Sequence, residues 1–187
     1  MTTVLSAFDT IPISSELLEV LNEFMRIFRS AQQNRSETAP DQIQSNDEYD
    51  NLLSKCDSFS DVFALVKRSV RENMSQERAD MVLQLVDLPL HIGAAHPVGT
   101  NRIVVNKALL DLAVQYRTLS EIRAFVFSML LHEYIHSLGY LNEYETRQLV
   151  FLVSRNVFGS NHVATSLARY GPWHIFRRNS ANQTDLN

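Results

Sequence analysis

The chain has 187 residues, a formal net charge of −4 and 45% apolar residues, which is the profile of one globular domain with an appended arm. The acidic balance offers no basic stripe, Arg177-Arg178 being the only Arg pair, so nucleic acid is not an expected partner. A single cysteine, Cys56, excludes a disulfide scaffold, and neither a signal peptide nor a membrane span is expected, so a cytoplasmic protein is the default reading.

In chain order, Leu17, Leu21, Phe24, Met25 and Phe28 recur at helical spacing behind Ser14 or Ser15 as caps. Residues 32–50 are polar and read as a linker, so residues 1–50 are expected to form a helix and linker that pack on a main body spanning 51–176. A second helix is predicted over 59–73. A third is predicted to start at 75–77, continue through Met81, Leu85 and Val86, and stop at Pro89. The stretch from His91 to Thr100 holds two glycines and a proline and reads as a loop. The β-branched run Arg102-Ile103-Val104-Val105-Asn106 reads as a short strand, followed by a helix over 107–116.

Ser120 is the expected N-cap of a central helix that is apolar on several sides and ends at Gly139. Asn142 and Glu145 form a capping-box pattern for a helix running to about Phe158, and a shorter helix follows Gly159, over about 162–169. Residues 177–187 read as a flexible tail, and Trp173 as a packing anchor just before it. The fold class expected from this order is α+β, mostly helical, with a small sheet.

Chemistry concentrates in His132-Glu133-Tyr134-Ile135-His136. Two histidines four apart on a helix project from one face, a spacing that suits a tetrahedral zinc ion. Glu133 points to another side of the ion, where it can take a proton from water without ligating. Three fixed positions of this kind arise by chance in on the order of one per cent of chains this long. The helical context and the cost of burying such groups unpartnered weigh further against coincidence.

The segment Leu131-His132-Glu133-Tyr134-Ile135-His136-Ser137-Leu138-Gly139 resembles the active-site helix of the zincin metallopeptidases, and the strand–helix–motif order before it is similar too. The resemblance implies a compact zincin-like domain with the motif helix at its centre. It implies His132 and His136 as zinc ligands, Glu133 as catalytic base, and a strand at 103–106 that borders the cleft and pairs with extended substrate. Gly139 matches the metzincin glycine, but Asn142 stands where that branch has its third histidine, and the glutamates Glu143 and Glu145 come sooner than in the larger gluzincins.

His162 is chosen as third ligand, with Glu145 as the alternative. A helix from 142 to 158 carries the chain about 24 Å from the turn, and the steps to His162 recover about 13 Å if extended, so the reach is just sufficient. Imidazole suits zinc, whereas the Glu145 carboxylate has a competing use in the capping box. His91 and His96 are candidate cleft-lining residues, and Tyr140, Tyr144 and Tyr170 are candidate hydrogen-bond donors to an oxyanion. The function expected is a zinc-dependent peptide-bond hydrolase acting on a peptide or protein substrate. The alternative is a non-catalytic, zinc-stabilised protein-interaction domain, distinguished by a fourth protein ligand. Oligomeric state is not legible.

Overall fold

The computed structural model describes residues 47–176. The helix expected around Leu17 to Phe28, most of the polar linker and the tail at 177–187 lie outside them. The described part is mostly helical α+β, with seven elements of helix around a three-stranded mixed sheet.

Helix α1 (Asp47–Ser54) takes in the last four residues expected to be linker, because Tyr49 and Leu53, one turn apart, are both buried. Helix α2 (Phe59–Met74) starts at a capping box in which Ser58 and Asp61 satisfy each other's backbone N–H. Its buried face is Val62, Phe63, Val66, Ser69 and Val70.

The helix expected from 75 to 86 does not form. Ser75 adopts φ 54° and closes α2, and Asp80 adopts φ 58°, so two left-handed residues interrupt any helix across this stretch. Val82–Val86 is strand β1 instead, pairing in parallel with β3 (Arg102–Asn106) in the register Val82 to Arg102. The loop expected at 91–100 contains a two-residue strand, β2 (Ala94–Ala95), antiparallel to the other side of β3. Sheet order is therefore β1-β3-β2.

Asn106 ties this sheet to the chain around it. Its fully buried amide donates to the carbonyls of Leu88 (2.9 Å), Pro89 (3.2 Å) and Ile92 (2.8 Å). Its Oδ1 accepts from Leu88 N and caps helix α3 (Lys107–Tyr116) through Ala108 N. One side chain thus fixes the 88–92 turn, the end of β3 and the start of α3.

Helix α4 (Leu119–Ser137) is the central element, buried all round at Ala124, Phe125, Phe127, Leu130, Leu131, Tyr134 and Ile135. Its N-cap is Thr118 rather than Ser120: Thr118 and Glu121 complete a reciprocal capping box, which requires the three-residue spacing that Ser120 lacks. Gly139, at φ 102°, turns the chain after α4 into α5 (Glu143–Phe158) and then α6 (Val163–Tyr170). A 3₁₀ turn, Pro172–Phe176, closes the described chain with Trp173 and Ile175 buried.

Arg78 clamps the C-terminal end of α4 to the loop ahead of β3. Its guanidinium donates to the carbonyls of Ser137 (2.5 Å) and Thr100 (2.7 Å), while its backbone N–H donates to the Tyr134 hydroxyl (2.8 Å). A cation at a helix C-terminus is also electrostatically favoured. No helix among the described residues is long and apolar enough to cross a membrane.

Candidate metal centre

The last turns of α4, the Gly139 turn and the first turn of α5 bring three donor atoms together. Nε2 of His132 and Nε2 of His136 are 3.1 Å apart, and Oε2 of Glu143 lies 3.3 Å from the first and 3.2 Å from the second. Four ligands on a zinc ion with bonds of about 2.0–2.1 Å are about 3.3 Å from one another, so the triangle has the dimensions of one tetrahedral face. Among the described residues, His132, His136 and Glu143 form the one group of this kind.

The tautomer of His136 is fixed by its surroundings. Its Nδ1 lies 2.7 Å from the carbonyl of Tyr140, which can only accept, so Nδ1 carries the proton and Nε2 presents a lone pair to the triangle. The buried Thr146 hydroxyl donates to the same carbonyl at 2.8 Å and holds it in place. Burial pushes the His132 imidazole below its ordinary pKa, against the pull of Glu143, so it is neutral at pH 7 as a ligand must be. Burial alone would raise the Glu143 carboxyl. The hydrogen bond from Arg147 Nε to its Oε1 (2.7 Å) and the charge of Arg147 hold it below the usual value, and the two histidines add to this where they are protonated. A lone pair and an anionic oxygen aimed at one point repel, and a single proton on His132 relieves only one of the contacts. A shared cation relieves all of them.

Glu133 is 8% exposed, and burial pushes its carboxyl up to about 7. His136 and the backbone amide of His96 act in the opposite direction, while Glu143 adds to the rise. The residue after β2 therefore reaches the side of α4 that carries Glu133, and the carboxyl interacts with two members of the donor group. A carboxyl with a pKa near neutrality can both take and return a proton at physiological pH.

The structure brings His132, Glu133 and His136 together and places the two third-ligand candidates elsewhere. His162 is the N-cap of α6: its Nδ1 accepts Ala164 N–H at 3.1 Å, its Nε2 lies 3.1 Å from Asp50, and its ring stacks on Phe158 at 4.4 Å. Helix α6 packs against α4, but away from the motif: Phe158, on which His162 stacks, meets α4 at Phe127, more than a turn before His132, and the Thr165 hydroxyl donates to the Gly159 and Ser154 carbonyls and pins the start of α6 there. Glu145 is exposed, and its backbone N–H is taken by Asn142. It does not share the inward face, which consists of Thr146, Val150, Val153 and Val157, while Leu152 is 43% exposed. Glu143 continues that inward face one turn earlier, at i−3 from Thr146. This spacing was the signal for it in the sequence. The pattern Glu143–Arg147 reads only as an intrahelical ion pair until the position of α5 against α4 is known.

The remaining candidates divide. His96 contributes its backbone to Glu133, and its ring nitrogen Nδ1 lies 2.8 Å from the Arg102 carbonyl. His91 is exposed. The Tyr140 hydroxyl accepts from Gln76 at 3.1 Å, Tyr144 is exposed, and Tyr170 packs beside His174. The strand at 103–106 is not a free edge. β3 is the middle strand, and Val104 and Val105 pair with β1 on one side and β2 on the other, so an extended peptide has no open backbone there. Comparison with family models, curated proteins and solved structures finds no match to this chain.

Proposed function

We propose that this chain is a zinc-dependent peptide hydrolase of zincin-like organisation, in which His132, His136 and Glu143 hold the ion and Glu133 is the general base. The observation that carries the reading is the convergence of three donor atoms within 3.3 Å of one another beside a buried carboxyl whose pKa lies near 7. Zinc in such a site supplies an acidified water and a Lewis acid for a carbonyl. Glu133 accepts a proton at its carboxylate and returns it to the departing amine, and its raised pKa suits both halves of that exchange. The Tyr140 carbonyl holds the His136 ring in the ligating tautomer. Arg147 keeps Glu143 ionised and turned towards the histidines.

Among the described residues the group has three protein donors, which supports the catalytic reading over a zinc-stabilised interaction domain, since a structural zinc closes with four protein ligands. The buried Glu133 supports it too, because a structural site has no use for that carboxyl. The substrate class is peptide or protein, and the setting is cytoplasmic, where a lone buried thiol such as Cys56 is ordinary.

Metal analysis of the purified protein, paired with a peptide-hydrolysis screen of wild type and Glu133→Gln, tests the reading. About one zinc per chain is expected in both, with hydrolysis by the wild type alone. Full parental hydrolysis by Glu133→Gln would remove Glu133 as the base, and a zinc-free wild type that takes up no added zinc would remove the reading itself.

A further inference from the structure

Glu143 divides its two oxygens between two partners: Oε2 faces the imidazoles, and Oε1 accepts from Nε of Arg147. The outer edge of the guanidinium, Nη1 and Nη2, has no partner among the described residues. The Arg147 side chain is 63% exposed, and its 2.7 Å bond to Glu143, whose other oxygen lies 3.3 Å from His132, puts the guanidinium beside the donor group. Charge balance gives that position a meaning. The formal charges of Glu143 and Arg147 cancel, so a divalent ion on the donor group would leave the mouth of the site positive in a chain whose net charge is −4. Two N–H groups on one edge of a planar cation match the two oxygens of a carboxylate.

We propose that Arg147 reads a carboxylate on the substrate, so that the peptides taken carry an acidic side chain or a free C-terminus next to the scissile bond. This rests on the peptidase reading above. Nε remains on Glu143, and the Nη1 and Nη2 protons take the carboxylate, so Arg147 is both a positioning residue for Glu143 and a specificity residue.

Calorimetric titration of the zinc-loaded Glu133→Gln protein tests this without turnover. The probes are the tetrapeptides Ala-Phe-Glu-Ala and Ala-Phe-Gln-Ala, each with a free and an amidated C-terminus. One carboxylate form should bind about tenfold more tightly than its amide counterpart, a difference of about 1.4 kcal/mol. Which pair shows the difference, the Glu/Gln pair or the free/amidated pair, identifies the source of the carboxylate. The preference should vanish in Arg147→Met and persist in weakened form in Arg147→Lys, which retains the charge beside Glu143. Equal affinity for all four peptides, no measurable binding at millimolar concentration, or a preference that survives Arg147→Met would overturn the inference. Zinc measured on the same samples separates the two levels: zinc present with a flat preference removes only the role of Arg147, whereas zinc absent removes the peptidase reading beneath it.

Discussion

Replacing Asn106 by Ala removes five hydrogen bonds at once. Three run from its amide to the carbonyls of Leu88, Pro89 and Ile92, and two run to its Oδ1 from Leu88 N and Ala108 N. The amide has two protons for its three carbonyls, so about 1 kcal/mol for each donated proton gives about 2 kcal/mol, and loss of an N-cap adds about 1 kcal/mol. The 88–92 turn is only partly covered, so water can reach some of the freed carbonyls, and the expected loss is about 2–4 kcal/mol. Asn106→Asp should be at least as damaging. It keeps the acceptor for the cap but points a buried carboxylate at three carbonyl oxygens. Urea denaturation followed by the fluorescence of buried Trp173 reads the effect as a lower midpoint with an unchanged slope. Because the turn leads into β2 and then His96 beside Glu133, any folded fraction of either variant should also lose the proposed hydrolysis. A loss of less than 1 kcal/mol in both variants would refute the assignment of Asn106 as the junction of sheet, turn and α3.

Two other outcomes follow from the site and its surroundings. Glu143→Gln should weaken zinc binding by at least about a hundredfold, a first ligand counting for more than the 10–100-fold of an outer partner, while Glu145→Gln and His162→Ala should bind zinc like the parent; competition with a chromophoric chelator measures all three. Burial holds the His162 imidazole below its unfolded value of about 6.5. The folded state therefore binds fewer protons there, and the stability this confers is complete above that value and is lost as pH falls through the lower folded pKa. Urea midpoints at pH 7.5 and 5.5 should fall further for wild type than for His162→Asn, which retains a capping side chain, and parallel falls would show that His162 carries no pH-linked stability.

The helices that frame the site were legible because their signals are local. The apolar periods of α2 and α4 and the stop at Gly139 all act within a few residues. Strand β1 was not, because Met81 and Leu85 also fit a helical period, and what decides in favour of a strand is pairing with β3 twenty residues further on. The start of α4 is set by the three-residue spacing between Thr118 and Glu121, which Ser120, the better cap by residue type, does not share. The pair His132 and His136 declares itself within one helix, whereas Glu143 depends on how α5 is rotated against α4. That rotation follows from burying Thr146, Val150, Val153 and Val157, which the sequence alone does not separate from the equally apolar Leu149 and Leu152.

The donor triangle is built from residues 132 to 143 alone, across one helix, one turn and the start of the next, whereas Glu133 depends on His96, which arrives with the sheet. Contacts close in sequence form with little loop-closure cost, and pairings such as β1 with β3 form late. In a refolding experiment the capacity to capture an ion should therefore appear ahead of the capacity to use it. On the proposed reading, a chain emerging from synthesis would have its metal in place before its base was aligned, and it would be inert towards neighbouring peptides until the sheet had closed.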